Sequence, residues 1–88
     1  MTDQPRNLTV TIHDLSKVVF EGEVYAVSST NESGPFDILS AHTNFITLIR
    51  DYIVLTLPDK QKKELKIDVG VLKNLGNHIE IYLGIGGT

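Results

Sequence analysis

An all-β fold is predicted, a small β-sandwich or flattened barrel of about eight to nine short, mostly antiparallel strands. Three observations carry that reading. Apolar and polar residues alternate with period two in one stretch after another. Clusters of turn-forming residues interrupt the alternation about every 6 to 12 positions. No segment sustains the apolar stripe of an amphipathic helix.

Residues 1–7 (MTDQPRN) are polar, contain Pro5, and read as a loose tail. LTVTIH follows: Leu8, Val10 and Ile12 face one way, and Thr9, Thr11 and His13 the other. After the turn DLSK, KVVF forms a second strand, and Glu21-Gly22 reads as a break or bulge. EVYAVSS alternates again, and TNESGP is a loop by composition. FDIL is a four-residue strand, SAHTN a turn, and FITLI a strand or a single helical turn. YIVLTL and KELKIDV flank a hairpin tip with Pro58, Asp59 and Lys60. GVLKNL and HIEIYL flank the turn Gly76-Asn77, with Ile79, Ile81 and Leu83 inward and Glu80 and Tyr82 outward. Residues 84–88 (GIGGT) read as a frayed end. Residues 1–88 are expected to form one domain.

Composition narrows the function. An 88-residue chain has room for one core and none for a deep enclosed active site. Without cysteine there is no disulfide and no thiolate metal site. A formal net charge of −3 makes a poor counterion for phosphate, and few aromatics leave no base-stacking platform, so nucleic acid is not an expected partner. The first residues lack an apolar signal segment, and no run is apolar enough to span a bilayer.

Sites for chemistry are sparse. Asp37, Ser40 and His42 invite a triad reading, but ILSAH lacks the GxSxG elbow and neighbouring residues seldom aim at one another as a triad requires. His13, His42 and His78 form no HxH or HExxH pair, so no metal site is expected; His13 and His78 read as outward residues on strands. Gly84-Ile85-Gly86-Gly87 opens no helix and is no phosphate loop. Lys60, Lys62, Lys63 and Lys66, diluted by Asp59 and Glu64, read as a solvated hairpin tip. No catalytic residue, cofactor or small-molecule substrate is therefore expected. What remains is apolar supply: Tyr25, Val27, Phe36, Phe45, Tyr52, Val54 and Tyr82 fall opposite the presumed core positions or in turns, and if several cluster they suit a partner protein.

Four stretches in order carry a family resemblance: LTVTIHDLSKVVFEGEV with Phe20-Glu21-Gly22-Glu23-Val24 as an F-x-G-x-V signature, GPFDILSAHTNFITLI, Gly70-Val71-Leu72, and residues 77–83. Together they resemble the N-terminal β-sandwich domain of the ε subunit of F-type ATP synthase, called δ in mitochondria. The second stretch is similar to the family's G-x-x-G-I-L-P-x-H-A-P-L-x-T-x-L segment through Gly34, Ile38, Leu39, His42 and Thr47. It departs from it at Ser40, Ala41, Asp37 and Phe36, and Val69 stands where a first glycine is usual. Nothing in residues 1–88 corresponds to the family's C-terminal helical hairpin, so the resemblance implies the rotor-docking half without the inhibitory domain.

The resemblance also implies surfaces. The loop of residues 31–35 is similar to the one that rests on the c-ring; the family's acidic contact falls at Pro35, leaving Glu32 to substitute beside Ser33. Asp14 and the His42-Thr43 turn fall at positions facing the γ subunit, with Phe36 and Ser40 between the two turns. The implied protein is a non-catalytic central-stalk rotor subunit, joining γ to the c-ring for proton-driven ATP synthesis. It is expected on the cytoplasmic side of a bacterial inner membrane, peripheral through its complex. A stand-alone β-sandwich adaptor or ligand-binding module is the alternative.

Overall fold

The computed structural model describes residues 7–84, so most of the expected tail and of the frayed end lies outside the described residues. Among the described residues the fold is all-β, with seven strands: β1 (Leu8–His13), β2 (Val18–Val24), β3 (Ala26–Asn31), β4 (Gly34–Ile38), β5 (Phe45–Thr56), β6 (Lys62–Leu75) and β7 (His78–Leu83). Their order is β2-β1-β7-β6-β5-β3-β4. Neighbours are antiparallel except β1 and β7, which run parallel.

The count is lower than the eight to nine expected because two pairs of predicted strands fuse. FITLI and YIVLTL are one 12-residue strand, and KELKIDV and GVLKNL one of 14 residues. The charged pair Arg50-Asp51 looks like a break, but β5 runs through it opposite a bulge at Asp68 of β6. Partners jump from Arg50↔Val69 to Asp51↔Ile67, and Asp51 takes φ 75°. An extra residue bends a strand without ending it. Glu21-Gly22 does not break β2 either; the chain turns at Tyr25, whose N–H donates to the Thr56 carbonyl at 2.7 Å. The expected loop TNESGP contracts to the turn Glu32-Ser33, with Asn31 Oδ1 accepting from the Ser33 N–H at 2.8 Å. Pro35 therefore lies within β4, which is tolerable because β4 is an edge strand.

The bulge divides the strands into two layers. Residues 70–75 of β6 pair with β7, while the half of β6 before the bulge pairs with β5 alone. One buried cluster joins both layers: Leu8, Val10, Ile12, Leu72, Ile79 and Ile81 from the first, Val27, Ile38, Ile53 and Leu55 from the second. Val27, expected on an outward face, is wholly buried there, because β3 enters the second layer with its own phase. Each such side chain contributes about 1.5–3 kcal/mol through removal from water.

Gly70 shows how tightly the layers close. A Cβ at this buried residue would lie 3.0 Å from the Tyr82 carbonyl oxygen and 3.1 Å from Leu83 Cδ2. Gly70→Val should push β7 off β6 at the Gly70↔Leu83 pair and cost about 1–3 kcal/mol, read as a lowered urea midpoint. An unchanged midpoint would show that the strands have slack there.

Candidate docking face

The outer surface of the first layer carries an ordered row. Strand register places Leu48 opposite Val71, Val71 opposite Tyr82, Tyr82 opposite His13, and His13 opposite Val18. The row crosses β5, β6, β7, β1 and β2, about 19 Å at 4.7–4.9 Å per strand. Leu48 is 70% exposed and Val18 48%, and Ile46, beside Leu48, is 66% exposed. A surface groove of about 580 Å³ opens along Ile46, Leu48, Val69 and Val71, with Glu32 and Arg50 at its rim. Large apolar side chains aligned in register and left in water mark a surface made to be covered.

At the middle of the face the row meets a polar cluster. Glu80 Oε1 accepts from the Tyr82 hydroxyl and from His13 Nε2 at 3.2 Å, and Glu80 Oε2 from His78 Nε2 at 3.0 Å. His78 Nδ1 lies 2.8 Å from Thr9 Oγ1, and the His13 and Tyr82 rings stack at 4.6 Å. The cluster ties the parallel strands β1 and β7 together from outside. The Tyr82 hydroxyl, then the two imidazoles, hold the Glu80 carboxyl well below its usual 4.5, at about 2; sharing its proton with that carboxylate raises Tyr82.

A depressed carboxylate stabilises the folded chain above its unfolded pKa and loses that contribution as pH falls through the folded value. Glu80→Gln should therefore cost about 1 kcal/mol at pH 7, a small figure because the side chain is partly exposed. The difference from the parent should shrink between pH 4.5 and about 2. Denaturant titrations at several pH values check this, and a gap independent of pH would contradict it.

The residues implied by resemblance sit around the rim. Asp14 follows β1 and folds back on its own turn, its Oδ1 accepting from the Leu15 N–H at 2.7 Å. Ser40, His42 and Thr43 lie at the opposite end of the layer, in a loop pinned to the β6–β7 turn. There the Ala41 N–H donates to Asn77 Oδ1 at 2.8 Å, and Asn74 Nδ2 to the Thr43 carbonyl at 2.9 Å. Glu32 borders the groove on the turn it shares with Ser33. Pro35 is exposed on β4. Phe36 packs against the core and meets Phe45 edge-on at 6.2 Å, and Phe45 in turn lies 5.2 Å from His42. Phe36 is thus a prop for the His42 loop more than a free contact. Asp14 and His42-Thr43 are not brought together; they lie at opposite ends of the first layer's strands, on either side of the row that crosses them.

The row itself was missed from sequence, since Ile46 and Leu48 lay in a segment equally readable as helix. Its visible signals were Tyr82 and His13, each placed outward by the alternation of its strand. The triad reading has no geometry behind it: Asp37 accepts from Ser28 Oγ at 2.6 Å, and His42 Nδ1 donates to the Thr43 carbonyl at 3.1 Å. Among the described residues no group of three His, Cys, Asp or Glu is placed to hold a metal. Lys60, Lys62, Lys63 and Lys66 are exposed at the hairpin tip and along the start of β6.

This architecture defines a small β-sandwich with an exposed, in-register apolar row on one face. The family described as ATP synthase, Delta/Epsilon chain, beta-sandwich domain matches residues 7–83, and the chain belongs to it. A curated relative, the ATP synthase epsilon chain of Helicobacter acinonychis (strain Sheeba), is 33% identical over 72 residues, covering 76% of this chain and 58% of that protein. The chain thus spans little more than half the length of that relative. Two solved assemblies share the fold. The Euglena gracilis mitochondrial ATP synthase (OSCP/F1/c-ring) gives a TM-score of 0.83 at 14% identity, covering 93% of this chain and 53% of the matched one. The Tetrahymena thermophila mitochondrial ATP synthase (central stalk/c-ring) gives 0.70 at 9%, covering 92% and 66%.

Proposed function

We propose that this chain is the docking domain of an ATP synthase ε subunit, a non-catalytic part of the central stalk that couples γ to the c-ring. The exposed in-register row on the first layer carries the reading. It offers γ an apolar seat across the strands, flanked by Asp14 on one side and by Ser40, His42 and Thr43 on the other. The Glu32-Ser33 turn, with Pro35 behind it, is the candidate c-ring contact. Torque transmission needs stiffness and holding area, not a pocket. Two layers sharing one close-packed core supply the first, and a standard interface of about 800 Å² per partner fits on a domain of this size. The complex is membrane-associated, and this subunit would be peripheral to it, on the cytoplasmic side in a bacterium. The single-domain reading of residues 1–88 belongs to the same proposal.

Co-purification of the tagged chain with the γ subunit from the same organism tests it. Retention of γ through a native wash is expected, and no retention of either γ or c-ring would reject the reading. The shallow groove along Ile46 and Leu48 supports one alternative, a stand-alone adaptor or ligand-binding module. A melting shift that depends on a small molecule and is absent with γ would favour it.

A further inference from the structure

The polar cluster lies within the face just assigned to γ, so covering that face also covers Glu80. This inference rests on the docking proposal and concerns its regulation. We infer that docking is linked to protonation: the His13–Glu80–His78 cluster takes up a proton when a partner covers it, and association tightens as pH falls from about 8 to 6.

A carboxylate that only accepts hydrogen bonds requires Nε2–H on both imidazoles whatever their charge. The distances of 3.2 and 3.0 Å are therefore compatible with both protonation states. Thr9 is suited to both as well. When His78 is neutral, its bare Nδ1 accepts the Thr9 hydroxyl at 2.8 Å. When His78 is an imidazolium, Nδ1–H donates to Thr9 Oγ1, and the hydroxyl turns to the Asn77 carbonyl at 3.4 Å. Charge can thus enter the cluster without rearranging it.

In the free chain water still reaches Glu80, whose side chain is 27% exposed. Removing that water while both imidazoles are neutral would bury a net negative charge, which is costly; one imidazolium makes the cluster neutral. Carboxylates line the strands around the cluster. Glu21 and Glu23 face Thr11 and Thr9 from β2, and Asp14 follows His13. Lys73 faces Glu80 from β6 with the opposite charge, yet among the described residues the ion pairs of Glu80 are with the two imidazoles. Glu80 itself stays ionised down to about pH 2, and Tyr82 is raised, so neither supplies the change near neutrality.

Calorimetric titration of the full chain with purified γ, at pH 6, 7 and 8 in buffers of differing ionisation enthalpy, tests this. Expected are uptake of up to one proton per complex and a Kd that falls with pH, by at most tenfold per unit for a full proton. The parent chain gives the proton count directly, so the test does not depend on any variant folding. In the His13→Gln/His78→Gln double variant, checked for native circular dichroism, the uptake should vanish. Tight binding without uptake, or a double variant with parental uptake, overturns the inference and leaves the docking proposal standing. No binding at any pH removes both.

Discussion

Ile81→Ala should unfold a large fraction of this protein at temperatures where the parent is native. Ile81 lies at the centre of the first layer, opposite Ile12 on β1 and Leu72 on β6, and all three are wholly buried. Truncation removes three carbons from a site that neighbouring strands cannot close over, since their hydrogen-bonded ladders fix the spacing. Loss of transfer energy plus the cavity amounts to about 3–4 kcal/mol. A domain of this size holds roughly 5–10 kcal/mol in total, and the melting midpoint should drop by about 12–32 °C. Ile81→Val, which keeps the β-branch, should cost about 1 kcal/mol. A loss below 1 kcal/mol for the alanine variant would mean that the core is centred elsewhere.

The opposite behaviour is expected two strands over, on β5, and on the outer face. Leu48→Glu should leave the fold within about 0.5 kcal/mol of the parent, because the side chain is 70% exposed and supports little. Its effect should appear only in binding. A carboxylate at the head of the apolar row would be desolvated by a partner without a matching charge built to receive it. A loss of about 2 kcal/mol, roughly thirtyfold in Kd for γ, is expected if Leu48 is an anchor of the interface. Gln61→Glu, in the exposed turn just ahead of β6, adds the same single negative charge far from the row and should bind as the parent does. Parental affinity in Leu48→Glu would move the docking surface away from this row. A collapse in melting temperature would contradict its exposure.

The two substitutions mark how far the sequence could be read unaided. The inward triplet Leu8, Val10, Ile12 and the pair Ile79, Ile81 follow from alternation alone, and both sets lie in the core. The hairpin turns at residues 58–60 and 76–77 were equally plain, because few residue types accept their geometry. The strand count was not legible. Arg50-Asp51 has the composition of a turn, and only pairing with a longer β6 carries the chain through it, opposite a bulge. Val27 shows the same limit, since its face depends on which layer β3 joins.

Period-two patterning, turn chemistry and the absence of a helical stripe were enough to determine the all-β class. These are local properties, set by each residue and its chain neighbours. The docking row and the Glu80 cluster were decided by the tertiary structure. Leu48, Val71, Tyr82, His13 and Val18 become neighbours only once β1 lies parallel to β7 and each strand settles in register. A slip of one residue would turn each side chain to the other face, and what holds the register is burial of the core on the far side.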